Sequence, residues 1–297
     1  MEIEGKKFKV NNQDKIFYPE ANYSKSDIME YYKKIAPVML PHIQNRPLTM
    51  LRYPDGIEGK RFFQKDMPDY FPDWIETKEL EKKEGGKLRY ILGNNTATLV
   101  YLASQASLTS HIWLSKIEKP NYPDKLIFDL DPSDEDFSKV KYAAKVIKDF
   151  FEKLKVSTFV MTTGSSGLHV VIPIKPELTF EEVLNLSQAM ASYLEKQHPE
   201  DFTTQTRKNK RGKKIYLDVM RNAYGQTSVA PYSLRARPQA PVATPLDWKE
   251  VSSLESSAKY TLANIFKRLA QKKDPWEKIY EQAVSIKELK EKFEDFL

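Results

Sequence analysis

Two aspartates close an apolar stretch of the chain, residues 125–132, with the sequence KLIFDLDP. Side chains alternate between the two faces of a β-strand, so Asp129 and Asp131 would share one face while apolar residues occupy the other. Two carboxylates at that spacing repel each other unless a cation lies between them. The pair therefore predicts a metal site at the end of a buried strand. The alternative is that both aspartates cap the turn that begins at Asp131-Pro132 and Ser133.

A third aspartate, Asp218, lies in the strand-like stretch 215–220, where apolar residues occupy alternate positions. Aspartate is disfavoured inside a strand unless something compensates its charge. A metal shared with Asp129 and Asp131 would do so. The alternative is a salt bridge from Asp218 to Arg221 or to a nearby lysine.

Three aspartates on neighbouring strands could hold two Mg²⁺ or Mn²⁺ ions, one to activate a 3′-hydroxyl and one to neutralise a leaving pyrophosphate. The absence of cysteine excludes cysteine zinc sites, and the four histidines have no paired ligand spacing. Carboxylates must then supply most ligands, which favours these two hard cations. The same carboxylates serve nucleases, so they predict phosphoryl transfer but not its direction.

A turn between two strand-like stretches, residues 162–167 with the sequence TTGSSG, offers backbone N–H groups and hydroxyls that suit phosphate oxygens. Thr163 and Ser165 are candidate contacts. Apolar residues then alternate along 168–174 and place His169 on the open side of the sheet. A phosphate contact is predicted for His169, and the alternative is a structural or solvated histidine.

Several basic residues could bind polyanions. Arg235 and Arg237 share one face if their segment is extended, and the alternative is an ion pair with local acids. Residues 207–214, RKNKRGKK, can follow a nucleic-acid backbone or form the solvated tip of a hairpin. Phe62 and Phe63, among basic neighbours, would stack on a templating base, and the alternative is a place in the core.

The elements that must position these residues predict an α+β fold. The second half contains a strand at 125–131, a helix at 137–154, a hairpin at 157–174, a helix at 180–197 and a strand pair around the basic turn 207–214. This order favours a split mixed sheet with helices on one face, as in RRM-like or ferredoxin-like modules. The first half contains a strand at 7–10, a helix from a Ser24/Asp27 capping pair toward Leu40, and a strand followed by a helix at 88–102.

We expect one catalytic domain at 1–255, built from two intimately packed α/β modules, with a helical segment at 256–297 packed on it. The chain of 297 residues has 40% hydrophobic and 30% charged residues, which is typical of soluble proteins. No apolar run approaches the ~20 residues of a membrane span, and the first residues lack a secretory signal core. We therefore expect a cytoplasmic, nucleoid-associated protein. The net charge of +6 suits a polyanionic partner without requiring one.

Several short motifs occur in order between about Asn12 and Trp248. They are DKIFYP (14–19), RPLT (46–49), RYPDG (52–56), FFQK (62–65), FDLDP (128–132), GLH (167–169) and VAPYSLRARP (229–238). Together they resemble the polymerase domain of bacterial and archaeal ligase D, in the archaeo-eukaryotic primase superfamily. The resemblance implies a primase-type catalytic core with mixed or antiparallel sheets, an RRM-like module and flanking helices.

The resemblance also implies a template-dependent polymerase that fills gaps and extends DNA ends in non-homologous end joining, with ribonucleotides preferred. Asp129, Asp131 and Asp218 would be the catalytic ligands of two Mn²⁺ or Mg²⁺ ions. The expected triphosphate-binding residues are Thr163, Ser165, His169, Arg235 and Arg237. The expected DNA-binding residues are Lys15 and Lys25, which would grip a 5′-phosphate, together with Arg52, Phe62, Phe63, Lys65 and His111. Expected partners are gapped or 3′-overhanging DNA, nucleoside triphosphates, the Ku protein and a separate ligase.

Departures from the family pattern are confined to single positions. The family usually has serine at the position of Thr163 and lysine at that of Ser166, which implies a lower triphosphate affinity, and Leu51 occupies a position that is often basic. No ligase signature is present, so a stand-alone polymerase or an excised domain is expected. The alternatives are a primase or damage-tolerant primase-polymerase, a non-catalytic end-bridging module and a two-metal nuclease.

Overall fold

The protein is described from a computed structural model that covers residues 1–297. The strands are β1 (Glu2–Ile3), β2 (Lys6–Lys7), β3 (Ile16–Tyr18), β4 (Tyr23–Ser24), β5 (Pro47–Arg52), β6 (Phe62–Gln64), β7 (Thr77–Glu81), β8 (Lys87–Leu92), β9 (Ser107–Ile112), β10 (Lys125–Asp131), β11 (Phe159–Thr162), β12 (Leu168–Pro173), β13 (Phe202–Thr203), β14 (Ile215–Asp218), β15 (Ser228–Val229) and β16 (Pro245–Leu246). The α-helices are α1 (Lys25–Ile43), α2 (Thr96–Ser104), α3 (Phe137–Lys153), α4 (Phe180–Gln197), α5 (Trp248–Val251), α6 (Ile265–Gln271) and α7 (Ile286–Phe296). Short 3-10 helices span Lys208–Lys210, Met220–Asn222 and Ile279–Gln282.

The chain divides into two compact units. Unit 1 consists of Met1–Glu118, Thr227–Ala243 and Tyr260–Gln271, and unit 2 of Lys119–Gln226, Thr244–Lys259 and Lys272–Leu297. The C-terminal region is thus shared, because 260–271 belong to unit 1 and 272–297 to unit 2. The predicted domain boundary at residue 255 stays a prediction.

Unit 1 is built on a sheet with the strand order β15-β9-β5-β8-β7, in which β6 also pairs with β5. Helix α1 begins as predicted, since the Ser24 hydroxyl accepts the Asp27 N–H while the Asp27 carboxylate accepts the Ser24 N–H. Its apolar residues recur every three or four positions, and the buried ones include Ile28, Tyr32 and Ile35. The capped start and the apolar stripe together fix α1 against the core of the unit.

Two local predictions for unit 1 had different outcomes. The strand and helix predicted at 88–102 are confirmed as β8 and α2. The strand predicted at 7–10 is wrong, because the pairing residues are Glu2–Ile3 and Lys6–Lys7 in a two-stranded hairpin. Glu4 and Gly5, both with positive φ, make the tight turn that brings these short strands together.

Unit 2 contains the arrangement predicted from the alternation of strands and helices. The chain order β10-α3-β11-β12-α4-β14 is βαββαβ, and these strands lie in the order β14-β10-β12-β11 with antiparallel neighbours. This is the ferredoxin-like arrangement of RRM modules. Helix α3 packs on β10, β12 and β14, and its buried face includes Val140, Ala144, Ile147 and Phe151. The side of the sheet away from this apolar face is where polar residues of the strands can gather.

The strands on either side of the basic segment 207–214 do not form a hairpin. Strand β13 pairs with β14 in parallel, with Phe202 opposite Ile215. Because the two strands run in the same direction, residues 204–214 must carry the chain back to the end of the sheet at which β13 begins. This connection includes the 3-10 turn at Lys208–Lys210. The predicted hairpin tip is thus wrong, and the basic segment is a mostly exposed crossover loop.

The helices predicted after residue 256 are present but short. Helix α6 has 7 residues and α7 has 11, and Pro275 lies between them. Helix α7 buries Ile286, Leu289 and Phe293 along one side. None of the helices in the chain combines the length and the apolar character that crossing a membrane requires.

Replacing Thr179 by Ala should destabilise unit 2 by about 1 kcal/mol. Thr179 caps α4, its hydroxyl accepts the N–H of Glu182, and the Glu182 carboxylate accepts the N–H of Thr179. Urea unfolding monitored by circular dichroism measures the loss. Thr179→Ser retains the hydroxyl and should unfold close to the wild-type midpoint. Equal midpoints for the Ala and Ser variants would contradict the capping role.

Candidate active site

Strand β10 brings the three predicted carboxylates together within unit 2. Asp129 lies directly opposite Asp218 of β14 and, on its other side, opposite His169 of β12. Residues that face each other across antiparallel strands project from the same face of the sheet. Asp131, two residues after Asp129, projects from that face as well. The pairing register therefore collects the three aspartates and the histidine in one place.

The carboxylates are close enough to share a cation. One oxygen from each of Asp129, Asp131 and Asp218 lies within 4.8 Å of the others. Asp129 is only 5% exposed, and the other two are half-buried. The alternative turn-capping function falls to different residues, because Asp134 and Asp136 accept the backbone hydrogen bonds that lead into α3. An all-oxygen donor set of this kind fits Mg²⁺ or Mn²⁺.

Electrostatics within the cluster show that negative charge is crowded there. Burial, with the charges of Asp129 and Asp218, raises the pKa of Asp131 from its usual 3.8 to about 6. Burial and the charge of Asp129 also raise the pKa of Asp218, although a hydrogen bond from the Met220 N–H opposes the rise. Both shifts mean that full ionisation is unfavourable without a neutralising cation. A divalent metal ion would supply that charge.

Two basic groups contact Asp129. The Asp129 Oδ1 atom lies 3.3 Å from His169 Nε2, and its Oδ2 accepts a hydrogen bond of 3.1 Å from Arg221 Nε. Burial alone would raise the pKa of Asp129, but the charges and hydrogen bonds of His169 and Arg221 outweigh it and lower the value to about 2. Arg221 therefore forms its salt bridge with Asp129 and not, as the alternative predicted, with Asp218. Arg221 was not among the predicted site residues, since its position three residues after Asp218 carries no recognisable signal.

His169 offers one nitrogen for a further ligand. Its ring is 3% exposed, and the Nδ1 atom is buried without a hydrogen-bond partner. A buried polar atom in this state costs free energy unless a ligand or water satisfies it. The predicted phosphate contact of His169 is consistent with this environment and stays a prediction.

Arg221 is held in place by its neighbour Asn222, which is fully buried. The Asn222 side chain accepts the Ile127 N–H and donates to the Ile127 carbonyl, both at 2.9 Å. The amide thus pairs with β10 much as another strand residue would. This pairing anchors the 3-10 turn Met220–Asn222 beside the carboxylates.

The turn 162–167 is organised from within by Thr163. The Thr163 hydroxyl oxygen accepts hydrogen bonds from the backbone N–H groups of Ser165 and Gly167, at 3.3 and 3.2 Å. Ser257 donates to the Gly167 carbonyl at 2.7 Å. Thr163 therefore shapes the turn, and direct phosphate contacts of Thr163 and Ser165 stay predictions.

Gly167 joins this turn to the strand that carries the aspartates. A Cβ atom at this position would lie 2.2 Å from the Leu130 carbonyl oxygen and 3.8 Å from Asp131 Oδ1. No side chain fits there without moving backbone. Glycine therefore allows the turn to approach the end of β10, directly beside the carboxylates.

Tyr216 and Arg211 link the basic loop 207–214 to the same cluster. The Tyr216 hydroxyl lies 3.4 Å from Asp218 Oδ1, and the Arg211 guanidinium lies 3.8 Å from the centre of the Tyr216 ring. Burial and the charge of Asp218 raise the pKa of Tyr216 to about 12. The alternation of β14 places Tyr216 beside Asp218, but Arg211 could not be selected among the positive charges of its loop from sequence.

In unit 1, Arg235 is half-buried and Arg237 is exposed. The extended backbone assumed for this pair is wrong, because the Arg237 N–H donates to the Arg235 carbonyl at 2.9 Å and bends the chain between them. The two side chains therefore do not share a strand face. Their triphosphate contacts stay predictions.

Lys15 and Lys25 lie next to each other in unit 1. The Lys25 N–H donates to the Lys15 carbonyl at 2.8 Å, and burial together with the charge of Lys15 lowers the pKa of Lys25. The Lys15 ammonium also pairs with Asp55 at 2.7 Å. The predicted 5′-phosphate pair is thus adjacent, and an anion between the ammonium groups would relieve their repulsion.

An aromatic surface forms around β6. Phe62 and Phe63 are 44% and 61% exposed, so the alternative that they belong to the core is wrong. The Arg52 guanidinium lies 5.5 Å from the centre of the Phe62 ring, and the rings of Phe63 and His111 are 5.7 Å apart. Lys65 is exposed close by in sequence. The structure therefore gathers most of the predicted DNA-binding residues of unit 1 on one surface, and their contacts with DNA stay predictions.

Comparisons with known proteins agree with this geometry. The sequence model of the family described as "LigD, primase-polymerase domain" matches residues 24–276. The chain belongs to the LigD primase-polymerase domain family. Its activity is therefore metal-dependent nucleotidyl transfer of the polymerase class, and the predicted fold class is confirmed.

Individual relatives of this LigD primase-polymerase domain are similar over most of the chain. The bifunctional non-homologous end joining protein LigD of Bacillus subtilis is 32% identical over 276 residues, which cover 92% of the chain and 44% of that relative. The multifunctional LigD of Mycolicibacterium smegmatis is 32% identical over 250 residues, 83% of the chain and 33% of the relative. The chain thus spans less than half the length of these relatives.

A solved structure is also similar. It is described as the polymerase domain from Mycobacterium tuberculosis ligase D in complex with DNA. It superimposes with a TM-score of 0.85 at 29% identity and covers 93% of the chain and 99% of its own length. The similarity extends through both units of the LigD domain described above.

Replacing Asp131 by Asn should stabilise the metal-free protein at neutral pH. Folding raises the pKa of Asp131 to about 6, so the folded state keeps this proton while the unfolded state loses it near pH 4. The free energy of unfolding of the wild type should therefore fall relative to that of the variant as the pH rises from about 4 to about 6. Above pH 6 it should remain below that of the variant by about 1–2 kcal/mol, after allowance for solvent screening.

Urea unfolding in EDTA at pH 4, 6 and 8 measures this difference. Added Mn²⁺ should reverse the order at pH 8, since the wild type gains more from the ion than the variant does. Equal stabilities of the two proteins at pH 8 in EDTA would show that the carboxylates do not repel one another as described.

Proposed function

We propose that the chain is a template-dependent polymerase that adds nucleotides at gaps and ends of DNA during non-homologous end joining. The observation that carries the proposal is the register of β10 and β14, which sets Asp129 opposite Asp218 and leaves three carboxylates within 4.8 Å. Membership of the LigD primase-polymerase domain family supports it. The end-joining context comes from the names of the longer relatives.

The proposed chemistry uses Asp129, Asp131 and Asp218 as ligands of two Mn²⁺ or Mg²⁺ ions. When bound, these ions activate the 3′-hydroxyl and neutralise the departing pyrophosphate. Arg221 holds Asp129 ionised and oriented, and His169 Nδ1 donates a hydrogen bond to a phosphate oxygen. The remaining triphosphate ligands are Thr163, Ser165, Arg235 and Arg237.

DNA is the proposed polymer substrate, as in the solved mycobacterial complex. Lys15 and Lys25 bind the 5′-phosphate on the far side of a gap, because their close ammonium groups favour a shared anion. The exposed rings of Phe62 and Phe63 stack on template bases, and stacking of this kind contributes about 1–3 kcal/mol per base. Arg52, Lys65 and His111 complete the surface.

The proposal extends to partners and nucleotide choice. Ribonucleotides are preferred over deoxyribonucleotides, and the Ku protein and a DNA ligase act with this domain at broken ends in the nucleoid. The segment from Thr77 to Tyr90, which forms most of the hairpin of β7 and β8, resembles the family's surface loop that helps to bridge two DNA ends, and we assign it the same role. The full names of the relatives support the end-joining assignment, although the chain matches only 44% of one and 33% of the other.

Primer extension on gapped DNA with Mn²⁺ tests the function. Replacing Asp129 and Asp131 together by Ala should lower incorporation by about 10³-fold or more, because metal ions supply several kcal/mol of transition-state stabilisation. Affinity for gapped DNA, measured by fluorescence anisotropy, should change little. Asp149→Ala is the matched control, since Asp149 is an acid of α3 in the same unit that pairs only with its helix neighbour Lys145.

Two comparisons refine the outcome. ATP should be incorporated faster than dATP, and removal of the downstream 5′-phosphate should weaken DNA binding. Synthesis without a preformed 3′-hydroxyl would instead assign a primase. Undiminished extension by the double variant would end the proposal.

A further inference from the structure

Residues 230–243 fold back on themselves as a short antiparallel ribbon that carries Arg235. The N–H of Tyr232 donates to the Ala243 carbonyl, and the N–H of Arg235 donates to the Pro241 carbonyl, both at 2.7 Å. The ribbon belongs to unit 1, and Arg235 leaves it as a half-buried side chain.

Buried hydroxyl groups from distant parts of unit 1 donate to three carbonyls of this ribbon. They run from Tyr31 to the Tyr232 carbonyl at 2.7 Å, from Thr109 to the Leu234 carbonyl at 2.7 Å, and from Tyr18 to the Arg235 carbonyl at 3.1 Å. The three donor residues are at most 2% exposed. The three donor residues are therefore shielded from water.

The two peptide groups on either side of the Arg235 Cα atom are both fixed. The first, between Leu234 and Arg235, is held by the Thr109 hydroxyl on its oxygen and by Pro241 on its N–H. The second is held at the Arg235 carbonyl, which accepts hydrogen bonds from the Tyr18 hydroxyl and from the Arg237 N–H. Because two fixed peptide planes determine φ and ψ, they also determine the direction of the Cα–Cβ bond.

The hydroxyls are permanent donors, and they hold an unfavourable backbone conformation. Burial raises the pKa of Tyr18 and of Tyr31 well above the usual value, so both phenols stay protonated. Tyr232 has a φ of +64°, which is unfavourable for a residue with a Cβ atom. The Tyr31 hydrogen bond to its carbonyl helps to keep the ribbon in that state.

We propose that Tyr18 and Thr109 are positioning residues that aim the Arg235 guanidinium at the incoming triphosphate, with Tyr31 securing the preceding turn. The inference rests on the proposed role of Arg235 as a triphosphate ligand. It gives a function to Tyr18 in the motif DKIFYP, whose nearby Lys15 is the only member assigned to DNA above.

A fixed starting direction matters for an arginine more than for a short side chain. A free arginine side chain loses rotamer entropy when a ligand immobilises it. A ribbon that already fixes the direction of the Arg235 Cα–Cβ bond removes part of that loss before binding. The nucleotide KM should therefore depend on Tyr18 and Thr109 even though neither touches the nucleotide.

Steady-state primer extension on gapped DNA with ATP and Mn²⁺ tests the inference. Tyr18→Phe and Thr109→Val each remove one hydroxyl at nearly constant shape and should raise the KM for ATP about five- to tenfold. kcat should change less than twofold, and DNA affinity without nucleotide should stay at the wild-type value. Thr109→Ser restores the hydroxyl and should restore the wild-type KM.

The variant Ser104→Ala distinguishes a positioning role of Tyr18 and Thr109 from a purely structural one. Ser104 donates a buried hydrogen bond of the same kind to the Tyr101 carbonyl in α2 of the same unit, at 2.6 Å. This variant should lose comparable stability in urea without any change in KM. A KM increase as large as that of Tyr18→Phe would overturn the inference.

The double variants with Arg235→Ala separate failure of the inference from failure of the function. Arg235→Ala alone should raise the KM for ATP, and adding Tyr18→Phe should raise it no further, since the guanidinium to be aimed is gone. If Arg235→Ala leaves the KM unchanged, the proposed triphosphate role of Arg235 is wrong. If Arg235→Ala raises the KM and Tyr18→Phe alone does not, the positioning role is overturned while the function stands.

Discussion

Repulsion among carboxylates that the sheet forces together is the interaction on which the rest of this structure depends. Hydrogen bonding between β10 and β14 sets Asp129 against Asp218, and strand alternation adds Asp131 on the same face. Left to itself, such a cluster opposes folding, and the raised pKa values of Asp131 and Asp218 express that cost. A protein tolerates this cost where a cation repays it, and a polymerase must bind its metal ions at the point where phosphates meet a 3′-hydroxyl.

The surroundings of the cluster keep it in place without neutralising it. Arg221 hydrogen-bonds to Asp129 and offsets the charges of Asp131 and Asp218 only in part. Asn222 fixes the turn that carries this arginine by hydrogen-bonding to the backbone of β10. Gly167 lets the turn 162–167 approach the same strand end, where any side chain would collide with backbone. The net negative charge that remains is available to metal. The strands and turns that shape the site are therefore the same ones that form the sheet of unit 2.

Much of this arrangement was predictable from local pattern. The alternation in residues 125–131 gave the strand and the shared face of its aspartates, and an acid inside a strand marked Asp218. Apart from the meeting of Asp218 with the other two aspartates, contacts between residues far apart in the chain were not predicted. Asn222 hydrogen-bonds to Ile127 of β10, which lies 95 residues earlier in the chain. The placement of Arg221 therefore depends on tertiary structure. The parallel pairing of β13 with β14 likewise required the path of the loop 207–214, whose charges carry no directional information.

Direct measurement of Mn²⁺ binding is the sharpest test of a shared metal site. Electron paramagnetic resonance of free Mn²⁺ during titration reports binding to the protein without requiring activity. The wild type should bind at least one ion, and Asp218→Asn should weaken that binding about tenfold or more while Asp149→Asn leaves it unchanged. Wild-type affinity in Asp218→Asn would contradict the account, because strand β14 would then contribute nothing to the cation that the three carboxylates are said to share.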